Sequence, residues 1–262
     1  MNAEPIIQIQ NLTLQTGSNR LLTDINWTIN RGENWIVFGR NGSGKTTLLS
    51  TLVGFHKFQR GSLKINGIEF SAENMLQLRQ EIGWVSSSFF AQYYRNEKVL
   101  DIVLSSWTGT LGVSSFPEDR AVVRAKQLLT DLGLRAKIEM PYSTLSKGEQ
   151  QKVIIARAFL TDPKILIFDE PETGLDVVTR EKLSNMIQEL SKSDNMTILY
   201  VTHYLEEILT TFDNCLLLKQ GTIYKQGKTA QLFSSDVMSD FLNEEVSITQ
   251  SGGRMHITIG RE

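Results

Sequence analysis

Apolar and polar residues alternate from Ile6 to Leu14, with slips, and alternate again from Leu21 to Ile29. Strand side chains point to opposite faces in turn, so this period of two predicts two half-buried strands. Asn30-Arg31-Gly32-Glu33 reads as a turn, and Gly61 to Phe70 reads as a hairpin around Asn66-Gly67. Together these predict a small antiparallel sheet beside a β-prone run, Trp35 to Phe38. The spacing then changes. Val99, Ile102 and Val103, and later Val122, Val123, Leu128, Leu129 and Leu132, recur with helical period over 97–108 and 118–132, and Gly133 is a stop. Val153, Ile154, Ala156 and Ala158 predict a third helix from Gln150 to Leu160, before Pro163. Residues near 88–160 therefore read as a mostly helical insertion.

Continuous apolar runs return at Ile165 to Phe168 and Thr197 to Val201. Runs without alternation suit strands covered on both faces, the mark of a parallel sheet. A helix from about Val178 to Leu190 lies between them. Residues 214–225 read as a further hairpin turning at Gln220-Gly221. After Ser234 the pattern is polar and mixed, and Ser251-Gly252-Gly253 between β-prone runs hints at a small hairpin.

The junction of the Trp35–Phe38 strand with the next helix carries chemistry. Gly39-Arg40-Asn41-Gly42-Ser43-Gly44-Lys45-Thr46-Thr47 fits G-x-x-x-x-G-K-[ST] in full. The glycines let the backbone turn tightly and aim successive N–H groups at phosphate oxygens. The helix start adds unpaired donors and partial positive charge. Lys45 is expected to reach the β- and γ-phosphates, and the Thr46 hydroxyl to ligate Mg2+. The implied ligand is a nucleoside triphosphate with Mg2+.

A second constellation ends the Ile165–Phe168 run in Asp169-Glu170. Asp169, at the carboxyl end of a strand, is placed to hold Mg2+ directly or through water. Glu170 is the candidate to polarise an attacking water. Ser146 and Gly148, in Leu145-Ser146-Lys147-Gly148-Glu149-Gln150, sit at a helix start and offer a second anion site. The same residues also read as a capping box, Ser146 with Glu149. His203 follows the Thr197–Val201 run and is a candidate γ-phosphate contact, whereas His56 and His256 have no such context.

Composition narrows the picture. The chain has 262 residues and a formal net charge of −2, giving no sign of a nucleic-acid-binding surface. One cysteine, Cys215, excludes an internal disulfide framework and a Cys-rich zinc site, and its apolar neighbours mark it as core. No apolar stretch reaches the roughly 20 residues that span a bilayer, and Met1 to Pro5 lack a signal-peptide pattern. The expectation is a cytoplasmic protein whose membrane role comes through a partner chain.

Taken in order, the motifs resemble the ATP-binding-cassette (ABC) ATPase family. They are the phosphate loop (Gly39–Thr47), a signature (Leu145–Gln150), Asp169-Glu170, a D-loop Gly174-Leu175-Asp176 and the switch histidine His203. The resemblance covers roughly residues 6–230. It implies an α/β P-loop NTPase with a RecA-like parallel core, an antiparallel β subdomain and a helical insertion. The corresponding division of the chain is 1–87 and 161–233 as core, 88–160 as helical subdomain, and 234–262 as tail. It also implies a head-to-tail pair of cassettes, a homodimer or a pairing with a sister cassette, that sandwiches two Mg-ATP. Each ATP then touches the phosphate loop of one chain and Ser146 and Gly148 of the other. Glu170 is then the general base and His203 the γ-phosphate sensor.

Three positions depart from the family pattern. Thr16 stands where an aromatic residue usually stacks on adenine. Ser87 aligns with the Q-loop glutamine, with Gln92 nearby as a substitute. Lys147 and Glu149 replace the usual Gly and Gln of the signature. The first functional reading is the energy subunit of a membrane transporter, with an integral membrane permease as partner. In that reading Phe89-Phe90-Ala91-Gln92-Tyr93-Tyr94 forms either an exposed docking patch or part of the chain's own core. The alternative is a soluble ABC ATPase acting on a cytosolic partner, and the Ser residues after Gly83-Trp84-Val85 resemble a molybdate-related single-cassette branch. A kinase or GTPase is disfavoured by the signature and by the lack of an Asn-Lys-x-Asp motif.

Overall fold

Alternation builds the first elements, although they run longer than the pattern predicts. The computed structural model describes residues 5–94, 96–112, 117–208, 211–251 and 254–260. β1 (Pro5–Thr16) and β2 (Asn19–Asn30) are 12-residue strands paired antiparallel. Asn11 and Asp24 adopt positive φ (48° and 50°) where the register shifts. Those local kinks are the physical origin of the slips in the alternation. β3 (Asn34–Phe38) is buried at every position. It leads through the glycine loop to α1 (Lys45–Leu52). β4 (Arg60–Ile65) and β5 (Ile68–Glu69) form the hairpin at Asn66-Gly67. They complete a four-stranded antiparallel sheet ordered β2-β1-β4-β5.

α2 (Met75–Gln80) was not legible from periodicity, because six residues with only Leu78 buried carry too short a pattern. β6 (Ile82–Val85), α3 (Ser87–Phe90) and α4 (Val99–Leu104) follow. α4 is shorter than the predicted 97–108, since the chain turns at 105–110 through hydrogen bonds such as Thr110 N to Ser105 O (3.1 Å). α5 (Asp119–Asp131) buries Ala121, Ala125 and Leu129 on one stripe. α6 (Lys147–Phe159) begins three residues before the predicted start at Gln150, because Ser146 caps it. β7 (Ile165–Asp169), α7 (Val177–Ser191) and β8 (Thr197–Thr202) match the runs read in the sequence. β9 (Asn214–Lys219) and β10 (Thr222–Lys228) form the hairpin at Gln220-Gly221. α8 (Thr229–Leu232) precedes Ser234, and the stretch after it holds α9 (Ser235–Leu242) and an antiparallel pair, β11 (Val246–Ser251) with β12 (Arg254–Ile259). The turn expected at Gly252-Gly253 lies outside the described residues.

The chain divides into two compact units, residues 1–69 with 186–262, and residues 70–185. In the first unit β3 pairs parallel with both β8 and β9, giving the order β10-β9-β3-β8 beside the antiparallel sheet. Cys215 is buried in this unit, and burial pushes its thiol pKa up, as expected for an inert core residue. α9 docks through buried Met238 and Phe241, and the Lys219 ammonium donates to Phe241 O (2.7 Å) and Asn243 Oδ1 (3.0 Å) at its C-terminal end.

In the second unit β6 and β7 pair parallel, with Gly83 opposite Leu166 and Val85 opposite Phe168. The aromatic run is core rather than an exposed docking patch. Phe89, Phe90 and Tyr94 are buried, and only Tyr93 is exposed. Trp84 meets Phe89 (centroids 4.3 Å) and Phe90 (5.4 Å), and Phe90 stacks on Tyr94 (5.5 Å). Such pairs contribute about 0.5–1.5 kcal/mol each beyond area burial. The Arg157 guanidinium lies 4.4 Å from the Phe90 ring centre and donates to the Tyr94 hydroxyl (3.1 Å). A buried cation with both contacts explains why an apolar loop segment folds inward.

β6 and α6 approach so closely that a Cβ on Gly83 would lie 2.5 Å from Ala158 O and 2.9 Å from Pro163 Cγ. Gly83→Ala is therefore expected to lower unfolding stability by about 1–3 kcal/mol in urea titration. An unchanged midpoint would mean that β6 and α6 do not pack this tightly.

Candidate functional site

The parallel register of β3 and β8 sets the candidate residues of the first unit. Phe38 lies opposite Thr202, so the glycine loop and His203 leave neighbouring strands at the same level. Gly42 and Gly44 hold positive φ (80° and 104°). Gly39 packs where a Cβ would meet Leu218 O and Ser43 Oγ, each at 2.5 Å. The loop is pinned from behind by Gly221 N donating to Ser43 O (2.8 Å). Lys45 is 5% exposed, and its ammonium donates to Gly39 O (2.8 Å) and Arg40 O (3.3 Å). The cation thus arcs back over the loop. Gly44 is the N-cap of α1 and supplies no side-chain acceptor, so the first-turn amides have no partner within the helix. Ser43 Oγ is buried and makes no hydrogen bond among the described residues. Arg40, Asn41 and Thr46 are exposed and Thr47 is half-buried. This geometry fits a polyanion: a cation, oriented amides and an unsatisfied hydroxyl converge on one helix start.

His203 is half-buried, with its ring 3.9 Å from that of Tyr204. The turn that carries it is held from the strand side. Thr202 Oγ1 donates to Glu207 Oε2 (2.5 Å) and accepts from Tyr204 N (3.0 Å). Glu207 is buried and was not read as functional, because a single carboxylate in a short polar stretch has no sequence signature.

A further group of candidate residues lies in the other unit. β7 ends at Asp169, which is 2% exposed. Glu170 takes φ +48°, a left-handed conformation for a non-glycine residue. Such a conformation costs about 1–3 kcal/mol and persists where surrounding structure imposes it. Here Thr173 N donates to Glu170 O (3.2 Å), closing a turn that redirects the chain from the strand. Because Val85 pairs with Phe168, the next residue of each strand comes level too, and Ser86 Oγ donates to Asp169 Oδ2 (3.0 Å).

Ser87, aligned with the Q-loop glutamine, starts α3, and its hydroxyl donates to Gln151 Oε1. The serine in contact with Asp169 is thus Ser86, which the sequence reading passed over. Gln92, the other stand-in, is exposed on the turn after α3. Thr16 is exposed at the end of β1.

Ser146 caps α6, accepting from Glu149 N (3.4 Å), while Glu149 Oε2 accepts from Ser146 N (3.0 Å). The capping box is therefore formed. Lys147 is exposed, and a Cβ on Gly148 would meet nothing within 4 Å. Glu149 Oε1 also accepts from Lys137 Nζ (2.5 Å). The Lys137 ammonium and the Ser146 amide pull the Glu149 pKa from the ordinary 4.5 to about 2. At the D-loop, Asp176 Oδ1 accepts from Val178 N and Thr179 N (3.0 Å each), and the Thr179 hydroxyl, donating to Oδ2 (2.7 Å), lowers the Asp176 pKa.

The fold thus gathers the phosphate-loop residues and His203 in one unit. It gathers Asp169, Glu170, Ser87 and the signature in the other. Besides Ser86, sequence reading missed Gln151 and Glu172. Glu172 is buried, and its Oε1 accepts from Ser184 Oγ (2.6 Å). Gln151 did leave a signal, being a polar residue four places before Ile155 on the buried face of α6.

Because the folded-state pKa of Glu149 lies below its unfolded value, its contribution is complete above about pH 4.5 and is lost as pH falls through about 2. A carbon-detected NMR titration is expected to place its carboxyl midpoint near 2. Lys137→Met should move that midpoint back toward 4.5. A midpoint already at 4.5 in the unaltered protein would remove the Lys137 pair.

Residues 22–173 match the family model described as ABC transporter. The chain is 36% identical over 255 residues to the ABC transporter ATP-binding protein YlmA of Bacillus subtilis, whose role is uncharacterised, covering 97% of each chain. It is 35% identical over 240 residues to the phosphonates import ATP-binding protein PhnC 2 of a Nostoc species, covering 90% of this chain and 98% of that one. Among solved structures it is similar to cbiO1 of Clostridium perfringens, part of the ABC transporter complex cbiONQ (TM-score 0.70, 26% identity, 92% of this chain and 95% of that one). It is likewise similar to the dimeric bacterial ABC transporter cassette MJ0796 (TM-score 0.71, 26% identity, 85% of this chain and 98% of that one). With a P-loop NTPase fold and these relatives, the chain belongs to the ABC transporter family, as one of its ATP-binding, ATP-hydrolysing cassettes.

Proposed function

We propose that two cassettes close around two Mg-ATP and that hydrolysis at the paired sites drives a membrane permease. The observation that carries this reading is the phosphate loop. Lys45 is tethered to Gly39 and Arg40 carbonyls above an α1 start that has no side-chain cap. A triphosphate offers stronger acceptors than those two neutral carbonyls, since hydrogen bonds to charged groups contribute about 1.5–3 kcal/mol. Lys45 then turns to the β- and γ-phosphates, with backbone amides from Gly39 to Thr47 around them.

Thr46 and Asp169 present hydroxyl and carboxylate oxygens, the hard donors Mg2+ prefers. Bound Mg2+ neutralises charge developing on the phosphates. Mg2+ is commonly held by one or two protein ligands together with substrate phosphates and water. Glu170 orients and deprotonates the attacking water, at a left-handed backbone position where the chain leaves the strand. His203 contacts the γ-phosphate. Ser146 and Gly148 receive the same γ-phosphate from the partner cassette, the phosphate replacing the long 3.4 Å Ser146–Glu149 contact as acceptor. ATP touching both chains only when closed makes closure a ligand-driven population shift.

No described helix is long and apolar enough to cross a membrane. A relative named for phosphonates import, and a similar structure that is part of an ABC transporter complex, support a membrane-embedded partner subunit as the route to the membrane.

Lys45→Ala is expected to weaken ATP binding by about 10- to 100-fold in a fluorescent-nucleotide titration. Retained affinity would remove the loop from the site. Glu170→Gln should keep ATP affinity, lose about 100- to 10,000-fold in kcat, and run as a dimer on size exclusion with ATP and Mg2+. A Glu170→Gln protein that stays monomeric there overturns the paired-site reading.

A further inference from the structure

The Q-loop position holds a serine, and the structure assigns that serine a partner. We propose that Gln151 is a positioning residue for hydrolysis, its side-chain amide joining the signature helix, Ser87 and the peptide behind Glu170 into one hydrogen-bonded unit. The proposal rests on the reading of Glu170 as the base, and its test separates the two.

Gln151 is 4% exposed and lies one turn inside α6, the helix that Ser146 caps. Its Nε2 donates to Pro171 O at 3.0 Å. Its Oε1 accepts from the Ser87 hydroxyl. The orientation of the amide is fixed by chemistry, because a proline carbonyl can only accept and the NH2 must face it. The remaining amide oxygen then faces Ser87, whose hydroxyl must donate. Both polar ends of a buried amide are therefore used, and removing either partner strands a buried group.

The location gives this contact its consequence. Pro171 directly follows Glu170, and the strained φ of +48° at Glu170 needs an external hold. The Gln151 contact to the next residue's carbonyl supplies one from α6. Displacement at the start of α6, where Ser146 and Gly148 sit, is passed through one buried side chain to the turn that aims the base. Ser87 completes the link from the segment after β6, beside Ser86 on Asp169.

The test is steady-state ATPase kinetics with the full chain, supported by thermal melting. Gln151→Leu keeps the volume and removes both hydrogen bonds. It is expected to lower kcat by about 10- to 100-fold through misplacement of the base, with KM for ATP within about threefold and Kd unchanged, since the phosphate loop is untouched. Gln151→Glu keeps the shape and the acceptor but not the donor to Pro171 O, and is expected to lose kcat to a similar degree. It serves as the deciding variant if Gln151→Leu does not fold. Ser87→Ala should cost less alone, and added to Gln151→Leu it should cost nothing further. An unchanged kcat, or losses from Ser87→Ala and Gln151→Leu that simply multiply, would overturn the bridge. A fall in melting temperature with KM and kcat changing together would mean a merely structural role, and would overturn it too. Glu170→Gln in the same assay isolates the underlying reading: if it hydrolyses ATP normally, Glu170 is not the base, whatever Gln151 does.

Discussion

Unpaired amides at helix starts are the constraint on which the rest of this molecule turns. Every helix opens with N–H groups that lack an intrahelical acceptor, and this chain treats two of its helices differently. α1 begins at Gly44, whose φ of 104° only glycine adopts cheaply and which brings no side-chain acceptor. α6 begins at Ser146, whose side chain and that of Glu149 satisfy each other's backbone in a capping box. A cap of this kind contributes about 1 kcal/mol. A charged phosphate acceptor contributes about 1.5–3 kcal/mol per hydrogen bond. The α1 start thus has no side-chain acceptor, while the α6 start carries its own. In the proposed function these become a standing and a conditional phosphate site, set by the residue type at each N-cap.

Around those helix starts, parallel register sets what stands beside what. Pairing Phe38 with Thr202 brings Gly39 and His203 to one level, and pairing Val85 with Phe168 brings Ser86 to Asp169. Neither juxtaposition depends on a long-range contact of the functional residues themselves. The strands decide it: both faces of each are buried, so a slip of one residue would exchange the two sets of side chains and force both faces to repack. The chemistry at the strand ends inherits its alignment from packing.

Strain and burial concentrate on the turn after β7. Glu170 is left-handed, Asp169 is buried, and Glu172 is buried two residues on with Ser184 on one carboxylate oxygen. Three carboxylates within four residues would repel one another in a loose loop. They are held apart here by different partners: Ser86 for Asp169, the reversed backbone for Glu170, and Ser184 for Glu172.

Sequence alone determined the family, the phosphate loop, the carboxylate strand and most strands and helices, because each rests on local order: glycine spacing, period-two or helical periodicity, and a continuous apolar run. It failed where the pattern was too short, at α2 and α9, and stayed open where composition fitted two readings. The aromatic run at 89–94 suits a surface patch or the core equally until Arg157, more than 60 residues away, is seen donating to Tyr94. The roles of Ser86, Gln151 and Glu172 belong to tertiary structure for the same reason. Each is an ordinary polar residue in its own segment. Only strand register and helix packing bring the partner that satisfies it, and hydrogen bonds between distant segments leave no periodicity in the chain.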